Sequence, residues 1–334
     1  MSKKAWALLL ISVGIVALLL GATATAQELQ TVRLSEVVRS VFYAPQYVAI
    51  ANGFFEEEGL KVDLSTAWGA DKGAAALISG SVDVGFFGPE ATVYIYQQGA
   101  TDHLVGFAQL TARDGSFFLT RDVDEEFEWD NVRGKTIVGA RIGGVPQMAL
   151  EWVLKQHGIE PFVDVEIITS LAFEAAVGAF EAGMGDYIAQ FEPALSEIEA
   201  RGRGKIVGSI GAEAGPLSYT VYHARKSVLE EDPDLFLRFT KAIHQGQLWV
   251  ASHTAEEVAE VIAPFFPLID LDILAKSMGL YQAIDAWPTT PLISDEHFLH
   301  LQEIMMEAGE LSEIVPFSVL MENTIAKSVI GDID

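Results

Sequence analysis

Short β-type runs alternate with helical stretches twice over in this chain of 334 residues, and that alternation restricts it to an α/β architecture. In the first series, Thr31–Val37, Lys61–Leu64, Val82–Phe87 and His103–Leu110 read as strands. Between them, Pro45 opens a helical stretch that Gly59 ends, Asp71 is placed to cap a helix through Ala74–Ile78, and Pro89 starts another that stops at Gly99. The second series begins near Ser116. Phe117–Thr120, Thr136–Ala140, Val163–Thr169, Tyr187–Ala189 and Lys205–Ser209 read as strands, and Val145–Gln156, Phe173–Glu181 and Pro193–Ala200 as helices. Gly211–Pro216 reads as a turn-rich break and Leu217–Ala224 as a further strand. From Pro233 onward the pattern is helical, interrupted at Pro264, Pro267, Pro288 and Pro291.

Strands separated by helices predict parallel β-α-β units. The order of the series predicts two lobes, with residues 27–115 opening the first, 116–214 forming an inserted second, and 215–334 returning to the first as a helical tail. Two chain crossings, near Leu110–Phe118 and Gly215–Tyr222, would then make a hinge with a cleft between the lobes. The alternative arrangement is two domains in series joined near residue 215.

The N-terminus carries a compartment signal. Lys3 and Lys4 precede an apolar run from Ala5 to Leu20, and Ala24-Thr25-Ala26 supplies the small-x-small pattern of a cleavage site. Residues 1–26 are therefore expected to be a signal peptide, with the mature chain periplasmic or secreted and starting at Gln27; an uncleaved anchor is the alternative. The sequence has no cysteine, which excludes a lipobox anchor, disulfides, thiolate metal sites and a cysteine nucleophile. Its formal charge is −26, and loss of Lys3 and Lys4 with the leader makes it −28. Such a surface repels nucleic acid and anionic lipid, so any anion site must be built locally.

Several stretches, in order, resemble the SsuA/THI5-like (NMT1-like) family of ABC-transporter substrate-binding proteins. They are Phe42-Tyr43-Ala44-Pro45-Gln46-Tyr47-Val48-Ala49 with Gly53-Phe54-Phe55 and Glu58-Gly59-Leu60-Lys61-Val62, then Leu77 through Gly85, Arg133-Gly134-Lys135-Thr136-Ile137, and Gly185-Asp186-Tyr187 with Phe191-Glu192-Pro193. The resemblance implies the two-lobed type II periplasmic-binding-protein fold, a small-molecule solute and an ABC permease as partner. A monomer without cofactor, metal or catalytic residues is expected. Relatives of this kind bind sulfonates, nitrate-like anions, riboflavin or aminopyrimidine precursors of thiamine. One branch is an intracellular pyrimidine-making enzyme with a cysteine-rich motif; the missing cysteines and the export signal argue against that branch here. A sensor input of the same fold would be fused to a signalling module; none follows the helical tail, so importer delivery is expected instead.

Ligands in open α/β sheets sit beyond the carboxyl ends of strands. That rule selects Phe42 and Tyr43, then Trp68, then Gly88 and Glu90, then Arg141, Gly143 and Gly144, then Phe191 and Glu192, with Tyr219 on the return crossing and Trp287 in the tail. The set is rich in rings and carries Glu90 and Glu192 against Arg141 alone. Rings stack flat heterocycles, and carboxylates accept hydrogen bonds from exocyclic amino groups and ring N–H. The balance favours a planar nitrogen heterocycle, a thiamine-precursor aminopyrimidine first, over a sulfonate.

Other chemistries find no support. There is no G-x-S-x-G elbow and no H-E-x-x-H, and Gly139–Gly144 lacks the dinucleotide-binding spacing. His297 and His300 share a helical face but read as surface histidines, and Asp122–Glu128 reads as a solvated acidic loop without calcium-loop spacing.

Overall fold

The computed structural model describes residues 28–99 and 102–331. The export signal read at residues 1–26 lies outside them. Among the described residues the strands are β1 (Gln30–Glu36), β2 (Leu60–Thr66), β3 (Val84–Phe87), β4 (Leu104–Thr111), β5 (Ser116–Thr120), β6 (Thr136–Val138), β7 (Glu166–Ile168), β8 (Tyr187–Phe191), β9 (Lys205–Ser209) and β10 (Thr220–Arg225). They form two five-stranded sheets, ordered β2-β1-β3-β10-β4 and β7-β6-β8-β5-β9.

Burial follows what covers each strand. β3, β4, β5 and β8 are buried at every residue, β4 at a sheet edge because helices pack against it, whereas β2 at the other edge alternates buried or half-buried with exposed residues. The units built from β1, β2 and β3, and from β6, β7 and β8, are parallel. Both sheets are nevertheless mixed. β10 lies antiparallel between β3 and β4, and β5 lies antiparallel between β8 and β9. The physical reason is the route of the chain. β5 and β10 each arrive from the other sheet rather than from a crossover helix, so they enter from the opposite end.

The chain passes from the first sheet to the second between Thr111 and Ser116, and back between Ser209 and Thr220. The two crossings are hydrogen-bonded together, Leu217 N to Ala112 O at 2.9 Å and Tyr219 N to Thr111 O at 3.3 Å. The tail sits beside them, with Ala112 N donating to Ala286 O at 2.9 Å and Ser218 N to His297 O at 3.1 Å.

Three local features depart from the sequence reading. The stretch from Pro45 to Gly59 is two helices, Ala44–Ala51 and Phe54–Glu57, parted where Gly53 turns left-handed at φ 78°. Asp71 lies in the first turn of the Ala70–Ile78 helix, and Gly69 occupies the cap position. The break at Gly211–Pro216 contains a short helix, Ile210–Ala214, because the Ser209 hydroxyl accepts the Ala212 N–H at 3.2 Å and caps it. Gly211 there rests on the Asp114 carbonyl, where a Cβ would collide.

The tail helices close the first lobe. Pro233–Ser252, started by Asp232 and its following proline, packs against β4 and the Ala44–Ala51 helix, and sets Phe236 and Phe239 around the Phe107 ring at 5.1 and 5.9 Å. The Leu271–Ala283 helix packs on the turn Val41–Tyr43 and also on the Ala194–Ala200 helix beside the second sheet. The Asp295–Glu307 helix likewise meets Val145–Gln156 of the second lobe.

Candidate functional site

Phe42 occupies the centre of the junction between the two sheets. It sits on the single helical turn after β1, where Ser40 caps the Phe42 N–H at 3.2 Å, and its ring is fully buried. Four rings surround it, Tyr281 at 4.7 Å, Tyr219 at 5.6 Å, Tyr43 at 5.7 Å and Phe191 at 5.8 Å between centroids. They come from a tail helix, the return crossing, the first lobe and the end of β8 respectively. Trp287 completes the group by donating its indole N–H to the Phe42 carbonyl at 2.8 Å. Gly115, in the first crossing, is what permits the approach, since a Cβ there would stand 2.7 Å from both the Phe42 and Phe191 rings.

Three buried carboxyl groups border this aromatic cluster. Each has at least one oxygen with no hydrogen-bond partner. Asp114 Oδ1 accepts the Ser116 N–H at 2.8 Å and the Ser116 hydroxyl, while Oδ2 is unpartnered. Glu192 Oε2 accepts the Ser196 N–H at 3.1 Å and the Ser277 hydroxyl at 3.3 Å, while Oε1 is unpartnered. Glu90 begins the helix after β3 and turns back toward its own N–H, leaving Oε2 unpartnered. Gly88 makes room for it, because a side chain at 88 would strike the Glu90 carboxyl. Burial pushes Glu90 up to about 7 and Asp114 up to about 6, and raises Glu192 as well. The three share neighbours. Tyr219, its phenol raised chiefly by burial, lies in the field of Asp114, Tyr43 and Glu90; Tyr281, raised for the same reason, lies in that of Glu192 and Asp114.

Glu36 shows what a buried carboxylate looks like when its role is to hold the fold. At the end of β1 it accepts four hydrogen bonds, from Tyr47 Oη at 2.7 Å, Thr66 Oγ1 at 2.9 Å, Gln46 Nε2 at 3.0 Å and Arg39 Nε at 3.0 Å. Buried charges are normally paired in this way. Against that standard, Glu90, Asp114 and Glu192 each keep a buried oxygen without a hydrogen-bond partner, a spare acceptor capacity that Glu36 does not have.

The sequence-selected residues divide into two groups. Phe42, Tyr43, Glu90, Phe191, Glu192, Tyr219 and Trp287 meet at the junction, with Gly88 supporting Glu90. Trp68, Arg141, Gly143 and Gly144 lie at its rim. Trp68 is 53% exposed, in a left-handed conformation at φ 61°. Arg141 is exposed and reaches toward Gly69 across the gap between lobes. The Gly143 carbonyl accepts from Tyr94 Oη at 3.2 Å, and Gly144 caps the Val145–Gln156 helix. Asp114, Gly115 and Tyr281 were not selected. Asp114-Gly115-Ser116 carries a usable signal, a side chain bonding the backbone two residues on. Tyr281 carries none.

The lobes are held together by contacts outside the aromatic cluster. Besides Tyr94 to Gly143, Lys276 pairs with Glu199, and Lys155 Nζ donates to Glu307 O at 2.9 Å. His300 Nε2 lies 2.8 Å from Ala214 O with its ring edge-on to Trp152 at 5.3 Å, so this histidine joins the tail to the second lobe.

The comparisons agree with this architecture. A family model described as "NMT1/THI5 like" matches residues 41–257. YtlA of Bacillus subtilis (strain 168) is 40% identical over 322 residues, which is 96% of either chain. Among solved structures, the alkanesulfonate-binding protein SsuA from Xanthomonas axonopodis pv. citri bound to MOPS superposes with a TM-score of 0.70 at 16% identity, over 89% of this chain and 99% of that one. The periplasmic nitrate-binding protein NrtA from Synechocystis PCC 6803 gives 0.72 at 15% identity, over 93% and 90%. At such identities the likeness concerns the fold, which is that of periplasmic binding proteins.

Proposed function

The chain belongs to the NMT1/THI5-like family, and on that premise we propose that it is the substrate-binding component of an ABC-type importer, holding a small planar nitrogen heterocycle between its lobes. An aminopyrimidine of the thiamine-precursor kind is the best-fitting solute. The observation that carries this reading is the open carboxyl oxygen on each of Glu90, Asp114 and Glu192, beside the rings of Phe42, Tyr43, Phe191, Tyr219 and Tyr281. Open acceptors call for a ligand with N–H donors, and rings call for a flat one.

Capture is reversible and involves no covalent step. The lobes part at the crossings, the solute enters against Phe42, and closure removes water from the polar contacts, which strengthens them. Export of the mature chain after cleavage near Ala26 would place it where it meets the permease as a monomer.

A second reading rests on one observation. Arg141 and the cap at Gly144 stand at the rim, where a sulfonate or nitrate-like anion would find a guanidinium and helix amides. Calorimetry separates the two. Hydroxymethylpyrimidine and formylaminopyrimidine are expected to give binding heat, whereas ethanesulfonate and nitrate give none. Heat from the anions alone would replace the first reading with the second.

A further inference from the structure

The carboxyl groups at the lobe junction fix more than the presence of donors on the ligand. Asp114 and Glu192 each have one oxygen bonded within the protein and one unpartnered, and Glu90 has an unpartnered Oε2, so the site holds spare acceptors in three places. Three open oxygens with their proximal partners already satisfied amount to a site short of positive charge. The surroundings supply little of it, Lys276 beside Glu192 being the cation among the described groups that face the three carboxyls. Glu90 is faced by Tyr43, Tyr94 and Tyr219, and none of these is a cation. Asp114 is faced by Ser116, Tyr219 and Tyr281, and its neighbour Arg113 turns away to the Gly211 carbonyl at 3.3 Å. Glu192 is faced by Ser196, Ser277, Tyr281 and Lys276, and Lys276 is engaged with Glu199. Arg39 is committed to Glu36. The rings of Phe42, Tyr43, Phe191, Tyr219 and Tyr281 stand beside these groups, and aromatic rings attract cations.

We infer that the solute of this junction is bound as an organic cation, with its positive charge lying among the open oxygens of Glu90, Asp114 and Glu192. The inference rests on the reading of the junction as a solute site, and narrows it from a heterocycle with amino groups to one that is protonated or permanently charged when bound. Without a ligand the carboxyl groups lower their cost of burial by holding protons, in keeping with Glu90 at about 7 and Asp114 at about 6. A cation must displace those protons. A neutral ligand need not, and an anion would be helped by them.

The test is calorimetric titration of the full mature chain with paired probes at pH 5.5 and pH 8. The pairs are 1-methyl-4-aminopyrimidinium with 4-aminopyrimidine, compared at pH 8 where the latter is neutral, and benzyltrimethylammonium with its uncharged carbon isostere neopentylbenzene. At pH 8 the pyrimidinium is expected to bind at least roughly tenfold more tightly than the neutral parent, the size of effect a desolvated charge pair commands. Its affinity should rise about fivefold or more from pH 5.5 to pH 8, and E90Q and D114N should each flatten that rise while retaining the melting transition of the parent protein. Equal affinity for charged and neutral pyrimidines would overturn the cation and leave the heterocycle standing. Binding of benzyltrimethylammonium without either pyrimidine would keep the cation and remove the heterocycle. Tighter binding at pH 5.5, or no binding of any charged probe, overturns the inference outright.

Discussion

The Tyr281 hydroxyl accepts the backbone N–H of Glu192 at 3.2 Å, while its ring lies 4.7 Å from that of Phe42. One side chain from the helical tail thus touches the second lobe through its oxygen and the first lobe through its ring.

Tyr281→Phe keeps the ring and orphans the Glu192 N–H in a buried setting, a loss of about 1–3 kcal/mol. Tyr281→Ala removes the ring as well and is expected to cost about 3–5 kcal/mol. Urea denaturation checks both, and equal midpoints for the Phe variant and the parent would contradict the assigned bond.

Gly115→Ala places a methyl against both Phe42 and Phe191. Overpacking of this kind costs about 1–3 kcal/mol. Because the colliding rings belong to opposite lobes, the strain is relieved by separating them. Small-angle scattering should record a larger radius of gyration for the variant, together with weaker solute binding.

Glu90 and Asp114 set a pH dependence of stability with a definite sign. Their folded-state values, about 7 and about 6, lie above the ordinary 4.5 and 3.8. The stability they contribute is full below those ordinary values and is lost as pH rises through the folded ones, at no more than about 1.4 kcal/mol per pH unit for each group. Between pH 4 and pH 8 the melting temperature of the ligand-free parent should therefore decline relative to that of E90Q. A constant difference between the two curves would refute the assignment.

Glu36 gives the opposite kind of substitution. Glu36→Ala strands Arg39, Tyr47, Gln46 and Thr66 together. A loss of about 3–5 kcal/mol is expected, as for breaking a buried charged network. Chemical denaturation measures it; a loss under 1 kcal/mol would show that the four partners find replacements.

Trp68→Ala probes the rim. Its ring is 53% exposed and makes no part of the cluster around Phe42. Stability should change by no more than about 0.5 kcal/mol. Solute affinity should stay within roughly twofold, and loss of binding would move the site outward toward Arg141.

Much of the fold was legible because its punctuation is local. Val145–Gln156, Phe173–Glu181 and Lys205–Ser209 run between the bounds read from glycine, proline and periodicity. The direction of β5 and β10 was not legible, since alternation announces a strand but not the end from which it enters. The residues at the junction divide in the same way. Phe42, Glu90 and Glu192 follow strands, so the rule of carboxyl ends finds them. Tyr281 lies on a buried helical stripe, and periodicity identifies such a stripe without naming the surface it will meet. Asp114 lies in a crossing too short to show any period.

The placement of β10 between β3 and β4 has a consequence for biosynthesis. Among the described residues it is the last strand, yet it fills an interior position in the sheet that begins at Gln30. A nascent chain emerging from the ribosome lays down β3 and β4 with an open slot between them, then makes all of the second sheet before the filling strand appears. Until residue 225 has been synthesised the first lobe lacks the ladders that β10 makes with β3 and β4, so translation order itself postpones completion of this lobe.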